Sequence, residues 1–264
     1  MFIWRLFWSM EQVSEQSKPD LVLLHGWGMN QAVWLQWLAL LQRDWQVNTL
    51  DLPGFGLSKN CPEPYALAAL AEQLQPQLPA KAVLCGWSLG GLVAIELAKR
   101  YPQQVQALVL LASTPCFMAQ ADWPGMSARI FSQFQQQLSH NIPLTIQRFL
   151  AIQAMGSPSA KDDIKQLRQA ILQLPEPQQV AVVGGLELLQ SCDLRAELAR
   201  LQVPVFAGFG RLDTLVPIAV QPALQQLMPA VQTHCFPHAS HAPFISHPVE
   251  SAAWLRQIQQ QLPA

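Results

Sequence analysis

Charge is scarce in this chain. Lys and Arg total 16 and Asp and Glu 17 among 264 residues, 12% together, with a formal net charge of −1. Such a surface offers neither nucleic acid nor an anionic bilayer a basic patch to hold, and Gln and Ala must carry much of the solvent-facing area. Cysteine is sparse too. Cys61, Cys85, Cys116, Cys192 and Cys235 are odd in number, irregularly spaced and contain no C-x-x-C pair, which excludes a disulfide framework and suits reduced thiols in a cytoplasmic protein. No histidine stands at a metal-ligand spacing from His25, so neither metal nor cofactor is expected. The hydrophobic opening Met1 to Trp8 is interrupted by Arg5, is too short to span a bilayer, and lacks the basic start and small-residue cleavage site of a signal peptide. It reads as edge strands of a sheet. No internal repeat is visible.

Apolar residues, by contrast, make up 50% of the chain, enough for one substantial core at this length. Buried-strand patterns at 21–25, 47–52, 82–85, 107–112, 203–208 and 231–236 alternate with helical ones. This predicts an α/β fold with a mostly parallel central sheet flanked by helices. The segment DLPGFGLS at 51–58 is a loop punctuated by Gly and Pro. Across 114–190 the alternation gives way to helical periodicity. Met126, Ile130, Phe131, Phe134 and Leu138 share one stripe, and Pro143, Pro158, Pro175 and Pro177 mark breaks. The expected organisation is an α/β core, 1–113 and 191–264, with an all-helical cap, 114–190, inserted in its C-terminal half.

Chemistry concentrates at Gly86-Trp87-Ser88-Leu89-Gly90, where an apolar strand runs into the motif and a helix expected to be amphipathic, 92–100, leaves it. A serine at this sharp turn is held in a strained backbone conformation, with glycines on either side permitting close strand–helix approach. The Leu89 N–H, at the helix N-terminus, is aimed at an oxyanion formed on Ser88. Serine is a weak nucleophile unless a histidine takes its proton and a carboxylate orients that histidine. In the serine–acid–histidine chain order of such elbows, Asp213 qualifies as the acid, because it follows the strand-like 203–210 directly. For the base, His238 and His241 share the loop 237–243, and spacing does not separate them. His234 lies within a strand and His247 precedes Pro248 at a helix start. His25 ends a buried strand and reads as a loop-ordering residue in an HG-type oxyanion loop, whose donor would be the Trp27 backbone N–H.

With these motifs placed, LVLLHGWG at 21–28, DLPGFG at 51–56, GWSLGGLVA at 86–94, PCF at 115–117, WPG at 123–125, FQQQLS at 134–139, RFLA at 148–151, GGLE at 184–187 and HAPFISHP at 241–248 together resemble the pimeloyl-acyl-carrier-protein methyl ester esterases of biotin synthesis. The resemblance runs nearly end to end and implies a capped α/β-hydrolase with a Ser88–His241–Asp213 triad. His241 is favoured over His238, because a histidine followed by x-Pro is the usual form of this loop. The oxyanion donors would be Trp27 and Leu89. Phe149, Leu150, Ala151, Ile152 and Gln153, with Trp27, Ser88, Leu89 and His241, would line the acyl site. The implied partner is an acidic acyl carrier protein met by Arg148, Lys161, Lys165 and Arg168, and the enzyme is expected to be a monomer. A broad short-chain carboxylesterase, a lyase or carbon–carbon bond hydrolase, and a non-catalytic receptor on the same scaffold are the competing readings.

Overall fold

The computed structural model describes residues 18–140 and 160–262. The edge strands expected at 1–8 lie outside the described residues. Six strands, β1 (Asp20–Leu24), β2 (Gln46–Leu50), β3 (Ala82–Trp87), β4 (Val105–Leu111), β5 (Val205–Gly210) and β6 (Gln232–Phe236), form one sheet in the order β2-β1-β3-β4-β5-β6. Every neighbouring pair is parallel.

Their sequences explain the arrangement. Every residue of β3 and β5 is buried, as is all of β1 after Asp20, which is how strands covered on both faces read. The outer strands β2 and β6 are only partly buried and begin on exposed glutamines. Each strand begins or ends within two residues of the apolar run that predicted it.

The helix Leu89–Arg100 departs from amphipathic expectation, since everything from Leu89 through Ala98 is buried. Its one buried carboxylate, Glu96, is matched by Lys99 at 2.6 Å and Arg100 at 2.7 Å, which satisfies the charge at the edge of the core.

Between β4 and β5 the described residues contain three long helices, Ala128–His140, Ala160–Leu172 and Gln179–Ser191. The ends of this excursion are pinned together by an antiparallel bridge between Cys116 and Asp193 and by Leu194 N donating to the Pro115 carbonyl at 2.8 Å. Met126 is not on the first of these helices, as its place in the apolar stripe suggested. It pairs with Met118 before the helix starts and donates its N–H to the Phe117 carbonyl at 2.7 Å.

All five cysteines are free. Cys235 is half-buried, where a buried strand position was expected, because β6 is a sheet edge. Burial pushes the Cys85 thiol up to about 12. No helix among the described residues is long and apolar enough to cross a membrane.

Candidate active site

Ser88 sits between β3 and the Leu89–Arg100 helix with φ 54° and ψ −120°, a region that non-glycine residues occupy only when their surroundings enforce it. Those surroundings are visible. Ser88 N donates to the Leu111 carbonyl at 3.2 Å, and the Ser88 carbonyl accepts from Gly91 N at 2.9 Å and from Ser113 Oγ at 2.7 Å. The flanking glycines are needed for contact. A Cβ on Gly90 would overlap the Leu24 carbonyl oxygen and stand 2.7 Å from that of His25, and one on Gly86 would overlap the Gly90 carbonyl.

Asp213 follows β5 in a turn closed by its own N–H on the Gly210 carbonyl. Oδ1 accepts from Leu215 N at 2.8 Å and Val216 N at 3.0 Å, leaving Oδ2 for His241, whose Nδ1 donates to it at 2.7 Å. Both side chains are fully buried. With Nδ1 committed as donor, Nε2 is the acceptor nitrogen, and it is buried without a hydrogen-bond partner among the described residues. His238, in the same loop, is exposed. The loops after β5 and β6 are locked to each other by Leu212 N on the Ala239 carbonyl and Arg211 Nε on the Pro237 carbonyl.

Trp87 ties the elbow to this loop. Its indole N–H donates to the His241 carbonyl at 2.8 Å, and its ring lies 5.9 Å from the imidazole and 5.0 Å from Phe244. This role of Trp87 is not visible in the motif itself; its only sign in the sequence is a tryptophan fixed beside the serine.

His25 has the loop-ordering role expected of it. Nδ1 donates to the Gly26 carbonyl at 2.9 Å and Nε2 accepts from Leu52 N at 3.0 Å. Burial lowers its pKa, against the opposing pull of Asp51 and the Gly26 carbonyl, in keeping with a neutral ring. Asp51 anchors the same region by accepting from Gln31 N at 2.6 Å, Gln31 Nε2 at 2.8 Å and Leu57 N at 2.8 Å.

The structure thus joins Asp213 to His241 directly and fastens the His241 loop to the residue before Ser88. Trp27 and Leu89 are buried near one another, both against Gly185. Lys161, Lys165 and Arg168 are exposed on the Ala160–Leu172 helix, as is Asp162 between them. Arg148 and the acyl-site stretch Phe149, Leu150, Ala151, Ile152 and Gln153 lie outside the described residues. A separate cavity of about 220 Å³, between Trp37, Phe244, Gln166 and Gln169, contains none of the three triad residues. Among the described residues no group of His, Cys, Asp and Glu could hold a metal ion.

A parallel sheet that delivers a strained serine from one strand end and a carboxylate–imidazole pair from two others defines an α/β hydrolase. The family model described as the alpha/beta hydrolase fold matches residues 19–248. The pimeloyl-[acyl-carrier protein] methyl ester esterase of Aeromonas hydrophila subsp. hydrophila is 49% identical over 231 residues, 87% of this chain and 91% of that protein. Its counterpart in Vibrio parahaemolyticus is 47% identical over 242 residues, covering 92% and 94%. Among solved structures, the Exiguobacterium antarcticum esterase superposes with a TM-score of 0.81 at 20% identity over 93% of each chain, and a Thermogutta terrifontis esterase with 0.77 at 23% over 93% and 90%. Those two establish the fold. The chain belongs to the pimeloyl-[acyl-carrier protein] methyl ester esterase family of α/β hydrolases, and it is a carboxylic ester hydrolase.

Proposed function

We propose that this chain hydrolyses the methyl ester of pimeloyl-acyl-carrier protein in biotin synthesis, with Ser88 as nucleophile, His241 as base and then acid, and Asp213 orienting the imidazole. The observation that carries the site is the buried Asp213–His241 pair, which commits Nδ1 and leaves Nε2 free to accept a proton. Ser88 Oγ bonds to the ester carbonyl carbon while its proton passes to Nε2. The oxyanion is held by the Trp27 and Leu89 N–H groups. The same proton leaves with the methoxy oxygen as methanol. Water then adds to the acyl-enzyme with His241 again as base, releasing the carboxylate and restoring Ser88.

The 114–190 segment acts in this reading as a cap over the acyl chain, which Phe149, Leu150, Ala151, Ile152 and Gln153 line together with Trp27 and Leu89. The carrier stays outside, met by Lys161, Lys165 and Arg168 with Arg148, in a monomeric cytoplasmic enzyme. Exposure of those three described cations on one helix supports the docking face.

The test is methanol release from the carrier-linked methyl ester, with methyl butyrate as free-ester control. Wild type should turn over the carrier substrate, and Ser88→Ala should lose about 10⁴-fold or more in kcat. Lys165→Glu/Arg168→Glu should weaken the carrier substrate and spare methyl butyrate. Turnover of methyl butyrate alone would leave a general carboxylesterase, and equal effects of the charge reversal on both esters would remove the docking face.

A further inference from the structure

The helix Gln179–Ser191 carries two successive glycines in its middle, an unfavourable choice for a helix interior. Each is pressed against something different. A Cβ on Gly184 would overlap Tyr65 Cβ, whereas one on Gly185 would stand 2.9 Å from Trp27 Cδ1 and 3.2 Å from Leu89 Cδ2. Gly185 is therefore in contact with both residues assigned above as oxyanion donors. The Trp27 ring cannot swing aside easily, because its indole N–H donates at 2.7 Å to the carbonyl of Val182, one turn earlier on the same helix.

From this we infer that Gly185 is a positioning residue for the oxyanion hole, an inference that rests on the serine-esterase reading. The helix seats the Trp27 ring between the Val182 carbonyl and the bare Gly185 backbone. The ring in turn fixes the loop that presents the Trp27 N–H. Any side chain at 185 pushes on a tethered ring, and the displacement passes to the donor.

Gly185→Ala tests this. Alanine is the better helix former, so helix propensity cannot account for lost activity. The expected result is a fall in kcat of roughly 10- to 100-fold, short of the ~10²–10³ that outright loss of one donor costs, with KM changed by less than about threefold. Affinity for a straight-chain alkyl trifluoromethyl ketone, which adds Ser88 Oγ and places an alkoxide in the hole, should fall in parallel with kcat/KM. Affinity for methyl butyrate, measured in the Ser88→Ala background, should not fall. Trp27→Phe should cost less in the Gly185→Ala protein than in wild type, since both act through one ring. If Gly185→Ala does not fold, Trp27→Phe alone breaks the tether without adding volume and must lower ketone affinity more than ester affinity. Wild-type kcat and ketone affinity in Gly185→Ala, beside an inactive Ser88→Ala, would overturn this inference alone, as would equal loss of ketone and ester affinity. Turnover retained by Ser88→Ala would overturn it together with the reading beneath it.

Discussion

Asp213→Asn separates the orienting role of the carboxylate from its bulk. Asp213 Oδ1 accepts two backbone N–H groups, from Leu215 and Val216, while Oδ2 faces His241 Nδ1. An asparagine has one acceptor arm and one donor arm. Placing its NH₂ toward the two backbone donors would forfeit two buried hydrogen bonds at roughly 1–3 kcal/mol each. The opposite orientation is thus preferred by about 2 kcal/mol or more, on the order of 30-fold. In it the amide oxygen keeps both N–H groups and the NH₂ donates to Nδ1. The ring proton must then move to Nε2, the nitrogen that accepts from Ser88 in the proposed mechanism, so the wrong tautomer is enforced by the two N–H groups across the carboxylate. Expected is a loss of about 10⁴-fold in kcat, close to 5.5 kcal/mol of barrier, with a folded protein. The assay is kcat on methyl butyrate, with the rate of Ser88 labelling by a fluorophosphonate and a thermal melt on the same samples. Activity within tenfold of wild type in a folded variant would refute the reasoning.

Trp87→Phe keeps the aromatic contact with Phe244 but leaves the buried His241 carbonyl without its indole donor. A cost of about 1–3 kcal/mol in urea unfolding, with a fall in kcat that exceeds any change in KM, is expected; an unchanged kcat would show that the imidazole is held without it. Gly90→Ala forces a Cβ into the Leu24 and His25 carbonyls, backbone atoms of a central strand and its loop, and should destabilise by about 3 kcal/mol or more; a urea midpoint like wild type's would contradict that packing. His25 has a folded pKa below its ordinary value because it is buried. Above the unfolded pKa of about 6.5 it is neutral in both states and costs nothing. As pH falls from there toward the lowered folded value, the unfolded chain takes up the proton first and stability drops. His25→Gln should therefore lose less stability than wild type between pH 7 and 5, with His234, lowered in the same direction, common to both proteins; equal slopes would remove His25 as the cause.

Much of this was legible in the residues. The central strands declared themselves because a strand buried on both faces has no polar alternation to confuse the pattern. The serine and aspartate were found at strand ends, where the chain must turn and only a few residue types suit the geometry. His238 and His241 could not be separated by spacing. They differ in which way a loop folds after β6, settled by contacts such as Leu212 N on the Ala239 carbonyl. The hydrogen bonds of Trp27 and Trp87 were invisible for a related reason: each reaches more than 150 positions along the chain, and an indole in a motif gives no sign of its distant acceptor. Gly184 and Gly185 stand out in the sequence only within the resembling stretch GGLE, since the sequence does not show what presses on a helix. Met126 was misplaced because a helical stripe can begin on a residue that merely packs beside the helix.

The pinned excursion between β4 and β5 has a kinetic side. Strands β1 to β4, the serine and the assigned donors Trp27 and Leu89 all precede residue 112, whereas Asp213 and His241 follow the start of β5, whose Val205 and Gly208 pair with Leu108 and Leu111 of β4. Closing so long a loop costs only modestly more entropy than closing a short one, but such non-local pairing is slow. On a ribosome that extends the chain at about 5–20 residues per second, the serine assigned as nucleophile is made on the order of ten seconds before the histidine assigned as its base. In the mechanism proposed above, the nascent chain is therefore a serine without its proton acceptor, and hydrolysis waits until β5 and β6 join the four strands already made.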